Sequence, residues 1–152
     1  MRKQILKAII LTGFTVGLLD ISAAFLNYFI VTGKNPMRVL EFIASGVFGK
    51  EAFNGNSFMV LYGLIFHFCI ALLWTVLFFF FYPKIALVRN NWIASGIGYA
   101  FIVWCAMTRI VLPLSNVSQQ PFDISKALLA IAILILCIGL PISYSVKKYI
   151  HR

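Results

Sequence analysis

The chain has 152 residues, of which 62% are hydrophobic and only 11% charged, and its mean hydropathy is +0.96. A soluble domain holds about 45–50% apolar and about 25% charged residues, so water is a poor solvent for most of this surface, and the length leaves no room for a second domain. The net charge of +9 sits on basic residues at the ends of apolar runs rather than along one helix face, which argues against nucleic acid and for the lipid bilayer as partner.

A helix needs about 20 apolar residues to cross a bilayer. Four stretches qualify: 8–31, 58–82, 92–114 and 124–146. Their apolar character is continuous rather than alternating, so they read as helices and not as barrel strands. The expected fold is an all-α integral membrane four-helix bundle, one transmembrane domain over 1–152.

The first run carries Asp20 near its middle and a Gly-xxx-Gly spacing at Gly13 and Gly17, the pattern of close helix contact. Its basic start, apolar core and Ser22-Ala23-Ala24 match the outline of a cleavable secretory signal. Against cleavage, the run continues through Phe25, Leu26, Tyr28, Phe29 and Ile30, as a span does.

Between the first two spans, Asn35-Pro36 offers a cap followed by proline at a first helical position. The pattern predicts an amphipathic helix over about 36–49, with Leu40, Ile43 and Val47 on one face and Arg38, Glu41 and Ser45 on the other. It either lies in the membrane interface or dips between the spans as a re-entrant element. Asn54-Gly55-Asn56 then reads as a turn.

The second span carries His67 and ends at Pro83. Asn90 and Asn91 open the third, which holds Arg109 and closes at Pro113. A polar loop follows, and Asp123 with Ser125 and Lys126 starts the fourth, where Pro141 is expected to kink or loosen the last turns. Arg2, Lys3, Lys7, Lys84, Arg89, Lys147, Lys148 and Arg152 fall on one side of the membrane. Lys34, Arg38, Lys50 and Lys126 fall on the other, offset by Glu41, Glu51 and Asp123. The positive-inside bias therefore places both termini in the cytoplasm.

At 1.5 Å per residue, Asp20 lies about 16–18 Å below the outer end of its span, His67 about 14 Å below the start of its own, and Arg109 about 7 Å below its outer end. Asn27 falls near the level of Arg109. An acid facing lipid is expensive, so Asp20 should face the bundle interior and pair with His67 or Arg109, or hold a proton. Asp20, His67, Arg109 and Asn27 are the candidate site for binding or relaying a proton or small polar solute. The competing expectation is an accessory or scaffold protein in which Asp20 and Arg109 merely lock two helices, His67 satisfies a carbonyl and Arg109 reaches for headgroups.

An enzymatic reading finds no catalytic motif: there is no Gly-x-Ser-x-Gly and no phosphate-binding glycine loop. No cofactor or metal is expected. His67 alone among the two histidines lies in a span, which is too few for bis-histidine haem, and no lysine sits mid-span. Cys69, Cys105 and Cys137 lie inside apolar runs without metal-ligand spacing. A second copy of the chain or another membrane protein is the expected protein partner, since four helices offer little room for a through-path.

Thr32-Gly33-Lys34-Asn35-Pro36, the stretch from Phe42 through Phe48-Gly49-Lys50 with Ala52-Phe53, Gly63 to His67 and Tyr82-Pro83 carry a resemblance. On them the chain resembles a family of uncharacterised small four-helix bacterial inner-membrane proteins. The likeness implies four helices and the bacterial inner membrane, and it implies no activity.

Overall fold

Helix α1 (Arg2–Thr32) is a single helix of 31 residues in a computed structural model that describes residues 2–84, 91–117 and 121–150. It begins earlier than residue 8 because the Arg, Lys and Gln of the first turns are good helix formers and nothing there breaks the ladder. It runs unbroken through Ser22-Ala23-Ala24. Gly33 ends it with φ 65°, a left-handed value that lets its N–H return to the Phe29 carbonyl at 2.8 Å.

Helix α2 (Met37–Phe48) follows, with Asn35 Oδ1 accepting the Met37 N–H at 3.0 Å. A 3₁₀ segment (Gly49–Phe53) leads to α3 (Ser57–Phe81), capped by Asn56. Helix α4 (Trp92–Leu114) starts where Asn91 Oδ1 accepts from Ile93 and Ala94, and Asp123 caps the last helix in the same way through Ser125 and Lys126. That last helix, α5, comprises Ile124–Leu134, a π turn at Ile135–Gly139 and Leu140–Ile150. The Asn or Asp before each of these three spans supplies the acceptor that the first free N–H groups need. Arg89, Asn90, His151 and Arg152 lie outside the described residues.

Pro141 does not end α5, which continues to Ile150. A proline lacks an N–H and its ring crowds the carbonyl four residues back, here that of Cys137. That residue sits inside the π turn, whose wider spacing accommodates the ring. Helix α4 repeats the device: a π turn at Met107–Val111 precedes Pro113.

The chain therefore forms four helices long and apolar enough to cross a membrane, α1, α3, α4 and α5, with no strand among the described residues. Most of their large apolar side chains point outward, as the exposure of Ile30 at 71% and Leu73 at 54% illustrates. A bundle with apolar groups on its outside suits lipid and not water.

Glycines set the helix crossings. A methyl at Gly17 would come within 2.8 Å of the Phe68 ring, and one at Gly13 within 2.8 Å of Leu72, so α1 and α3 touch along the Gly-xxx-Gly seam. Gly96 of α4 and Gly139 of α5 meet backbone to backbone, and Gly63 of α3 lies directly against the Leu40 carbonyl of α2. On α2, Leu40, Ala44 and Ser45 are buried while Val47 is exposed. One expected position is corrected: Ser45 belongs to the inner face, with its hydroxyl spent on the Phe42 carbonyl at 2.7 Å, while Val47, two turns on from Leu40 along the same face, is exposed where it borders the cavity. Arg38 and Glu41 remain together as an ion pair at 3.0 Å.

The densest apolar core is lower in the bundle, where Ala8 and Val16 of α1, Phe78 and Phe79 of α3, and Ile138, Ile142 and Val146 of α5 pack together. The upper half is looser, and the candidate site lies there.

Candidate functional site

Asp20 is one turn beyond Gly17 and so projects from α1 on the side of the glycine seam. On α3, Gly63, His67, Ala71 and Thr75 recur every fourth residue and are all buried. Ala71 and Thr75 meet Gly17 and Gly13 across the α1–α3 crossing, while Gly63 meets α2. His67 Nε2 lies 2.8 Å from the Gly17 carbonyl oxygen. A carbonyl can only accept, so Nε2 is the protonated nitrogen and donates the bond. The missing side chain at Gly17 is what lets the imidazole reach the helix backbone. Phe68 packs edge-on against the ring at 5.6 Å between centroids.

This bond leaves Nδ1 of the neutral ring as a lone-pair acceptor. Asp20 is half-buried, and it lines the same cavity as His67. No N···O contact within ion-pair distance joins Asp20 to His67 among the described residues, whose ion pairs are Arg38–Glu41 and Lys126–Asp123. The acid and the imidazole are neighbours on the wall of a cavity and not a closed salt bridge.

That cavity measures about 480 Å³. Helix α2 supplies one wall through Phe42, Ile43, Gly46 and Val47. Helix α3 supplies Phe66 and Trp74, α4 supplies Val103, Met107 and Val111, and α5 supplies Leu134 and Ile138. The volume falls within the range of small-molecule sites, which pair mostly apolar walls with a few polar groups. Its upper rim is fixed by the loop after α4. Asn116 N–H donates to the Gly46 carbonyl at 3.0 Å and its Nδ2 to the Val47 carbonyl at 2.8 Å.

The structure brings Asp20 and His67 together and leaves the other two candidates apart. Arg109 is exposed on the outer surface of α4 and is not part of the cavity wall. Met107 and Val111 both face the cavity, and a residue two positions from each of them points to the opposite side of the helix. The expected Asp20–Arg109 pairing is therefore not formed. Asn27 is half-buried, about two turns along α1 from Asp20, and also lies outside the cavity wall. Arg38 is half-exposed on α2, and the Glu41 side chain beside it is 13% exposed.

The apolar wall residues carried no distinguishing mark in the sequence, since any span is rich in Phe, Ile and Leu. The four-residue recurrence of Gly63, His67 and Ala71 is the signal that finds the His67 face. Chemically, the site offers two places for one proton, the Asp20 carboxyl and His67 Nδ1, beside an apolar chamber. Among the described residues no group of three or more His, Cys, Asp or Glu is placed to hold a metal ion. No protein-family model, curated protein or solved structure matches the chain.

Proposed function

We propose that this small polytopic membrane protein binds a small molecule in the cavity beside Asp20 and His67, and takes up or hands on a proton there. The observation that carries the reading is the presence of both ionisable groups on the wall of one chamber of about 480 Å³. An acid inside a span is costly and tends to mark a pathway or a proton site. Protein reconstituted in liposomes with an internal pH dye tests it. Wild type should show a pH-dependent flux that Asp20→Asn and His67→Ala both lose while their helical circular dichroism is unchanged. Identical traces for all three would end the proposal.

The membrane is the bacterial inner membrane, supported by the family resemblance, with both termini cytoplasmic, supported by the positive charges near the ends of α1 and α5. In that orientation α2 is on the outer side, where it covers the cavity as an interfacial or re-entrant element. A complete path across the membrane would draw on a second copy.

One observation favours the scaffold reading instead. The His67 bond to the Gly17 carbonyl fastens α1 to α3, which is a structural task. On that reading the exposed Phe42 of α2 docks another membrane protein. A stoichiometric partner that copurifies with wild type and is lost in Phe42→Ser would support it, and flux in the liposome assay would count against it.

A further inference from the structure

We infer that the molecule this cavity accepts is a hydrophobic amine in its ammonium form, one that competes with protons for Asp20. The inference rests on the reading of the cavity as a binding site and adds the chemistry of the occupant.

The polar groups on the wall decide the class. Asp20 ionised is acceptor-only, and His67 has already given its one N–H to the Gly17 carbonyl, which leaves only a lone pair. The Ser115 hydroxyl, at the rim, is likewise spent as a donor on the Leu112 carbonyl at 2.8 Å. Among the described residues no lysine or arginine lines the chamber. The donors on the wall are the Trp74 indole N–H and the weak Cys69 S–H, both neutral, so the one group able to carry full charge opposite a ligand is the Asp20 carboxylate, which favours a ligand with positive charge and repels carboxylates and phosphates. The remaining wall is apolar, and Phe42, Phe66 and Trp74 add aromatic faces that attract cations. An ammonium on an apolar body satisfies both halves of the site.

Proton competition follows from the same geometry. Cation binding needs the Asp20 carboxylate, and a proton on it removes the attraction. The titratable groups near Asp20 are His67 and Cys69 of α3, which share the chamber wall with it, and Cys137 of α5. The wall residues of α2 and α4 contribute none.

The test uses the purified full chain in phosphatidylcholine nanodiscs, titrated calorimetrically with three probes of one shape: 4-butylbenzylamine, 4-butylbenzyl alcohol and 4-butylbenzoate. Empty discs give the partition background. At pH 8 the amine should bind saturably, with the alcohol weaker by about tenfold or more, the weight of one charge-assisted hydrogen bond, and the benzoate not bound. Amine affinity should fall by about tenfold between pH 8 and pH 5. Asp20→Asn should reduce the amine to the level of the alcohol, and Asp20→Glu should retain a preference for it. Equal binding of alcohol and amine, or an Asp20→Asn variant as tight as wild type, would overturn the ammonium assignment and leave the cavity reading standing. Saturable binding of none of the three by folded protein would remove both.

Discussion

Gly63 is where a single methyl group probes the packing of the upper bundle. Its missing side chain lets the Leu40 carbonyl of α2 rest directly on α3, so Gly63→Ala forces backbone away from backbone. Overpacking of this kind costs about 1–3 kcal/mol. Gly98→Ala is the contrast: nothing lies within 4 Å of the added methyl, and alanine favours a helix by up to about 1 kcal/mol. Unfolding in mixed detergent, followed by circular dichroism, should destabilise the first variant and leave the second neutral or slightly stabilised. Equal losses would mean that α2 does not cross α3 at Gly63. At this scale the sequence was informative where partners share one helix. The Gly13-xxx-Gly17 seam and Asp20 one turn beyond it are readable from spacing alone. The Gly96–Gly139 contact was not, because its two halves lie on different helices and small-residue spacing along one helix does not name its partner on another. Arg109 went astray for a different reason. Rise per residue gives a height, and height says nothing about the direction in which a side chain leaves the helix.

Among the elements, α2 is the short helix that is not a span, and it is held from two sides. One side rests on α3, and the other is held by the two hydrogen bonds from Asn116 to Gly46 and Val47. Asn116→Ala removes the side-chain bond and should lower the local opening free energy of α2 by about 0.5–1.5 kcal/mol. Amide hydrogen exchange would show it as faster exchange confined to the end of α2, with the spans unchanged. No difference in that segment would mean that the loop does not hold α2. The spans themselves were legible because long apolar runs and Asx caps are local signals, and Asn91 and Asp123 open their helices where those signals place them. The span of α5 was read past Pro141 to residue 146, but its π turn was not, since that depends on packing around Ile138 and Gly139 as well as on the proline.

For the whole molecule the governing fact is that apolar side chains cover the outside of the bundle while the few ionisable groups within the spans divide between a cavity and the outer surface. The proposed orientation, both termini cytoplasmic, rests on charge. Fusions at the C-terminus should fluoresce with a green fluorescent protein and show no activity with alkaline phosphatase, which folds only outside the cytoplasm. The reverse pattern would invert the topology and place α2 on the cytoplasmic side. The architecture is legible in the sequence because the solvent imposes it: hydrocarbon demands long apolar helices wherever the chain crosses. The cavity is not legible, because it is a space between helices and no residue type encodes a space.

The bonds that stitch neighbouring elements share a trait with a bearing on inheritance. His67 reaches the Gly17 carbonyl, Tyr99 that of Trp74, Ser143 that of Trp92, and Asn116 that of Val47. Every acceptor is main chain, an oxygen that each amino acid supplies. Mutation can therefore wander at Trp74, Trp92 and Val47 without deleting a stitch, while the whole genetic burden of these fastenings falls on four donor codons and on the smallness of Gly17.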